Sequence, residues 1–205
     1  MAVAARKLPP APAAAPERPP YLFSVAQYQR MVETGILGPD DHVELLEGRI
    51  LEKMSRNPPH DGTVNDINYI LLPLLPPEWR VRIQSALVLA RSVPEPDIAI
   101  VRGPASVFRK RHPVAADVSL LIEVADSSRL FDRKQKGLWY AEARIPEFWL
   151  VNLVEGRLEV YTQPKGGKAP AYRQRRDYAL SQAVPLVLDG KKIAEIPVAQ
   201  LCPVE

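Results

Sequence analysis

Apolar and polar positions recur along this chain with two different periods, and the changes of period mark out its elements. Val25, Tyr28, Met31 and Val32 fall at helical spacing behind Ser24, a residue type that caps helix starts, so a helix runs to about Glu33. Gly35 and Gly38-Pro39 end it. Val43 to Met54 reads as two short strands joined by a tight turn at Glu47-Gly48. Pro58-Pro59 precede a second helix from about His60 to Leu75, with Val64, Ile67, Leu71, Leu74 and Leu75 on its buried side. Val81, Ile83, Ala86, Val88 and Leu89 mark the next strand. After a turn near Pro94 comes Asp97-Ile98-Ala99-Ile100-Val101, an apolar strand with an acid at its start.

Gly103 to Ala116 reads as a basic, irregular connection. Val118 to Val124 is the strongest strand of the chain and carries apolar residues on both faces, as the centre of a sheet requires. A helix is predicted from about Leu130 to Ala143, then a strand Glu147 to Val151, with Arg157 to Thr162 as its hairpin partner across Gly156. Gly166-Gly167 opens a polar loop, and the remainder adds a few short strands and a terminal helical turn. Neither an internal repeat nor a second core is visible. The pattern predicts an α/β class, or α+β with a mixed sheet. Residues 1–20 form an Ala/Pro-rich leader that cannot build a core and is expected to be disordered, leaving 21–205 as one domain.

Composition changes this picture little. The chain has 205 residues, 46% hydrophobic and 25% charged, ordinary for a globular domain. Its one cysteine, Cys202, allows no intrachain disulfide and reads as a small, semi-buried apolar residue, so a reducing, cytoplasmic setting is expected. No signal segment or spanning helix is visible, so no membrane partner is expected. A net charge of +3 is too small to imply nucleic acid by itself. Its placement says more: Arg102 and Arg109 to His112 crowd one stretch, Arg129 to Lys136 a second, and Lys165 to Arg176 a third. Three scattered histidines and one cysteine give no zinc ligand set, and no P-loop is present.

Two carboxylates stand where acids are costly. Asp97 opens an apolar strand and Glu123 lies within the most hydrophobic one, so each needs a partner or a cation. If the two strands are neighbours, both acids can share one hard ion such as Mg²⁺ (or Mn²⁺), with the Val124 carbonyl as a third ligand. Pairing of Glu123 with an arginine and strand-end capping by Asp97 is the competing account. Asp132, Lys136 and Tyr140 share one face of the following helix. From there Lys136 can point back to the strand end, or pair with Asp132 at the surface.

Pro96-Asp97, Ile122-Glu123-Val124, then Asp132, Lys136 and Tyr140, then Ile145 to Val151 together resemble the Uma-type family of restriction endonucleases, within the PD-(D/E)XK nuclease superfamily. Val43 to Ile50 and Pro58-Pro59-His60 match its pattern too, so the resemblance covers roughly Tyr21 to Gln163. It implies a restriction-endonuclease-like core, a mixed sheet flanked by helices, with metal on Asp97 and Glu123. Glu44 and His60 match further positions of the pattern. Glu44 would bind a second ion or a water, and His60 would contact phosphate or relay a proton. The superfamily's lysine two residues after the glutamate is Ala125 here, and Lys136 stands in for it. Asn152 replaces a usual aspartate.

The reaction so implied is phosphodiester hydrolysis, in DNA by expectation, with Lys136 orienting the water or offsetting developing charge. Arg109, Lys110 and Arg111 lie in the loop between the acidic strands and are expected to contact backbone phosphates. Nothing in the sequence suggests base readout. Trp139, Tyr140 and Trp149 read as core. Two rivals stay open: a module on a nuclease-like fold that binds nucleic acid or protein without cutting, and an interaction protein whose acids only form ion pairs. Related folds often act as dimers, so a homodimer is a further expectation.

Overall fold

The computed structural model describes residues 19–53, 57–126 and 130–203, without the side chains of 130–134. Most of the expected leader, the Ser127-Ser128 turn and the side chains of Arg129, Asp132, Arg133 and Lys134 lie outside the described residues. Among the described residues, no helix is long and apolar enough to cross a membrane.

Ser24 caps α1 (Val25–Glu33) in a capping box with Gln27, as its position before the apolar stripe predicts. β1 (Val43–Leu46) and β2 (Arg49–Glu52) form the expected hairpin. Its turn residues Glu47 and Gly48 both take positive φ, the conformation that matches strand twist in a two-residue hairpin. Glu47 accepts from the Ser92 hydroxyl and pairs with Arg91.

The second helix, α2 (Pro58–Leu71), starts two residues earlier than the apolar spacing suggests. Both prolines fit inside its first turn, where an amide hydrogen would have no helical partner, and Asn57 caps it through the His60 N–H. It passes into a 3-10 turn at Leu72–Leu74, where Pro73 removes the donor that an α-helix would need.

The principal sheet has six strands in the order β3 (Trp79–Ile83), β4 (Ile98–Arg102), β5 (Val118–Ala125), β6 (Glu147–Asn152), β7 (Arg157–Lys165) and β8 (Ala171–Ala179). Only β5 and β6 run parallel, and α4 (Leu130–Glu142) connects them, so the sheet is mixed as predicted. Three expectations are corrected. Ala86, Val88 and Leu89 do not extend β3; they form irregular backbone anchored by single bridges such as Val88 to Val114. The basic connection contains a short helix, α3 (Ala105–Phe108). The strand after Gly166-Gly167 is long, nine residues, because it pairs with β7 along its length.

All eight residues of β5 are buried, since both faces of the sheet are covered. Leu120, Ile122 and Val124 face a core shared with Val64, Ile67 and Leu71 of α2, the hairpin β9 (Ala183–Leu188) and β10 (Lys191–Pro197), and α5 (Val198–Leu201). Leu121 and Ala125 face a second cluster with Tyr140 of α4, Phe148 and Leu150. Glu123 alternates onto that second face, beneath α4. Cys202 is fully buried rather than half-buried, its thiol against the Asn152 carbonyl.

Candidate active site

Asp97 and Glu123 are placed by strand register. β4 and β5 pair antiparallel with Ile98 opposite Ile122, so the next pair outward is Asp97 and Glu123, on one face of the sheet. Beyond the last β4 ladder bond, the Val124 N–H donates to Asp97 Oδ2 at 2.9 Å. The residue named as a carbonyl donor thus presents its N–H to the first acid. Both acids are nearly buried, at 5% and 6% exposure, and no arginine pairs with either among the described residues.

Their partners come from the flanking helices. His60, in the first turn of α2, sets its Nε2 3.1 Å from the same Asp97 Oδ2, while its Nδ1 lies 3.1 Å from Asp61. The Asn57 side chain, one position before α2, donates to Asp126 just after β5, tying the helix start to the strand end. From α4, Lys136 donates to Glu123 Oε2 at 3.0 Å, and Tyr140, one turn on, donates its hydroxyl to Oε1 at 2.6 Å. The alternative pairing of Lys136 with Asp132 lies outside the described residues, which do not include the Asp132 side chain. Glu44 on β1 accepts from the Glu95 N–H at 3.2 Å and lies close enough to Lys136 to feel its charge.

Burial acts on each carboxyl, and the partners decide the outcome. For Glu123, burial dominates and the Asp97 charge adds to it, so despite Lys136 its pKa is pushed up to about 7. For Asp97, burial is overcome by the His60 hydrogen bond, the Lys136 charge and the Val124 N–H, which hold it below its ordinary value. Burial raises Glu44 against the opposing pull of Lys136. Burial works against the Lys136 charge too, yet Glu123, Asp97 and Glu44 together hold its ammonium pKa above normal. Within the Glu123–Lys136 pair the lysine therefore keeps its proton, and the carboxyl is the member that titrates.

Among the described residues no group of three or more His, Cys, Asp or Glu side chains is arranged to hold a metal ion. Two hard carboxylates from adjacent strands still fit a Mg²⁺-sized ion, which takes few protein ligands and completes its shell with water and substrate phosphate. Oδ2 of Asp97 takes both of its hydrogen bonds, so Oδ1 carries none among the described residues. Each Glu123 oxygen accepts one bond and keeps a second lone pair. The donor set suits a hard ion and not zinc.

The structure thus brings Glu44, His60, Asp97, Glu123 and Lys136 together. It puts Arg109, Lys110 and Arg111 elsewhere, on a neighbouring cleft, with Arg111 held by Asp117 at 2.6 Å. The sequence placed Tyr140 on the Lys136 face of the helix and within the family pattern, but gave it no role beyond that of a core ring. It is fully buried as expected, like Trp149, but its hydroxyl also grips Glu123. Its position four residues after Lys136 on the same helical face was the available signal.

The sequence model of the family described as "Uma2: Putative restriction endonuclease" matches residues 25–191. Among solved structures, the chain is similar to a "putative nuclease belonging to DUF820" from Anabaena variabilis, with a TM-score of 0.66 and 14% identity, over 87% of this chain and 97% of that one. At that identity the likeness shows the fold, which is nuclease-like. A search of curated proteins finds no match. The match over most of the chain, on a fold shared with that structure, shows that this protein belongs to the Uma2 restriction endonuclease family.

Proposed function

We propose that the protein is a divalent-metal-dependent nuclease that hydrolyses phosphodiester bonds in DNA at the Asp97–Glu123 site. The observation that carries this reading is the pair of buried carboxylates, set side by side by strand register and with no arginine partner among the described residues. Asp97 and Glu123 would hold Mg²⁺ or Mn²⁺, which supplies polarisation of the phosphate and a more acidic water. Glu123 would serve as a ligand in its ionised form, which the hydrogen bonds from Lys136 and Tyr140 favour. His60 keeps Asp97 oriented, and Tyr140 does the same for Glu123. Lys136 keeps its positive charge within the site, where it offsets the charge that builds on the phosphorus oxygens. Glu44, held by the Glu95 N–H and near enough to Lys136 to feel its charge, would orient a water. Arg109 and Lys110 contact phosphates flanking the cut.

The test is incubation of the purified protein with supercoiled plasmid in Mg²⁺ or Mn²⁺, beside Asp97→Ala and Glu123→Ala. Nicking or linearisation by the wild type and not by the variants supports the reading. Binding without cutting in either metal would make the protein a nucleic-acid-binding module instead.

A further inference from the structure

A second, larger feature lies beside the acids on the same sheet face. A cleft of about 760 Å³ opens between α1, the irregular stretch after β3 and the α3 segment. That volume lies within the range of small-ligand clefts. Register fixes its distance from the chemistry. Arg82 pairs with Ala99, and the Gln84 N–H donates to the Asp97 carbonyl, which continues the same register outward. Arg82 therefore stands one strand across and two residues along from Asp97, roughly 5 Å by 7 Å. Neighbouring nucleotides of one strand span such a distance.

The lining divides by chemistry. Arg82, Arg109 and Lys110 have no acidic partner among the described residues. The acids on the rim are already neutralised, Glu95 by Lys53 at 2.7 Å and Glu33 by Arg30. The cleft is thus positive at its mouth. Ala86, Val88 and Val93 make one wall apolar. Phe108 stands in the cleft with the guanidinium carbons of Arg82 and Arg111 at 5.9 and 5.7 Å from its ring centre. Arg82 Nε is buried and makes no hydrogen bond among the described residues, and a buried donor of that kind calls for an acceptor.

A duplex meets only half of this lining. Its phosphates would satisfy the cations, but its bases stay stacked inside the helix and leave the apolar wall and the guanidinium–phenyl stack uncovered. An unstacked base covers both, since free bases stack on aromatic rings and on guanidinium planes.

We propose that this cleft seats one unpaired nucleotide next to the linkage held at Asp97 and Glu123, with its phosphate on Arg109 and Lys110 and its base against Arg82 and Phe108. The substrate class is then DNA with a single-stranded segment, such as a flap, an overhang or a melted site. This specifies the substrate of the nuclease reading and rests on it for the neighbouring linkage, while the binding itself needs no cleavage.

The experiment is fluorescence anisotropy in EDTA with a labelled single strand and a blunt duplex of the same sequence, using the full chain. The single strand is expected to bind roughly tenfold more tightly, the worth of about one stacked base. A deoxynucleoside 5′-monophosphate should compete at concentrations where inorganic phosphate does not. Arg82→Gln and Phe108→Leu should each abolish the strand preference. Lys110→Ala, at an exposed position, should weaken binding of strand and duplex alike and leave the strand preference in place. Equal affinity for strand and duplex, or equal competition by phosphate and nucleotide, would overturn the proposal. A strand preference in EDTA from a protein that cuts nothing in Mg²⁺ or Mn²⁺ would sink the nuclease reading and leave the cleft standing. Cutting with no strand preference would do the reverse.

Discussion

The Val124 N–H, one residue beyond Glu123, donates to the side chain of Asp97 at 2.9 Å. The strand that carries one acid therefore also fixes the other. The bond takes the place of a ladder bond where β4 has ended, so the open end of the β4–β5 ladder is satisfied by the Asp97 carboxylate. The mutual placement of the two carboxylates follows from backbone pairing, which is stiffer than any contact between side chains.

Tyr140→Phe should lower stability by about 1–3 kcal/mol, because it removes a donor from a buried carboxyl while leaving the ring in place. Denaturant melts check it. An unchanged midpoint would mean that the hydroxyl does not support Glu123.

Lys136→Met should reduce plasmid cleavage by roughly 10²- to 10³-fold at saturating Mn²⁺. Without the ammonium, burial holds the Glu123 proton to higher pH, so the residual activity should also peak at more alkaline pH than in the wild type. Lys136→Arg keeps the charge and should recover part of the loss. Wild-type rates in Lys136→Met would remove the lysine from the mechanism.

Glu147 gives a stability effect away from the site. Burial pushes its pKa from 4.5 up to about 7, against a hydrogen bond from the Trp149 indole. Between those values the folded protein keeps a proton that the unfolded chain has released, so this residue's contribution to stability falls as pH rises through that window. Glu147→Gln never takes the charge. Its melting temperature relative to wild type should rise between pH 5 and pH 8, and a constant difference would contradict the burial of that carboxyl.

Gly48→Ala should cost more than Gly190→Ala, although both glycines have nearly the same φ, 77° and 76°. A methyl at Gly48 would lie 2.9 Å from Leu22 Cβ and 3.1 Å from the Phe23 carbonyl, whereas one at Gly190 meets nothing. The backbone strain of about 1 kcal/mol is common to both, and the clash is added only at Gly48. Urea midpoints of the two variants decide it.

The fold was legible where one period dominated. β5 announced itself through uninterrupted apolar residues, and α1 through Ser24 ahead of a clean stripe. The stretch from Ala86 to Pro94 misled because its apolar residues are buried by irregular backbone, anchored at Leu45–Val93 and Val88–Val114, and not by a strand. Burial and pairing are different demands, and hydrophobicity reports only the first. At the site, Asp97 and Glu123 stood out because charge is expensive in such strands. The hydroxyl of Tyr140 and the guanidinium of Arg82 did not, since a tyrosine in a core and an arginine on an edge strand are both ordinary. His60 was visible only through resemblance; its bond to Asp97 depends on how α2 crosses the sheet, which no local pattern encodes.

The gathered set of Glu44, His60, Asp97, Glu123 and Lys136 is drawn from four elements and the residue just before β4, with the lysine supplied last along the chain. A polypeptide still emerging from the ribosome, or one broken by a protease before α4, cannot assemble that set. On the proposed nuclease reading, competence would then be withheld until synthesis has passed the final member and the sheet has closed around it.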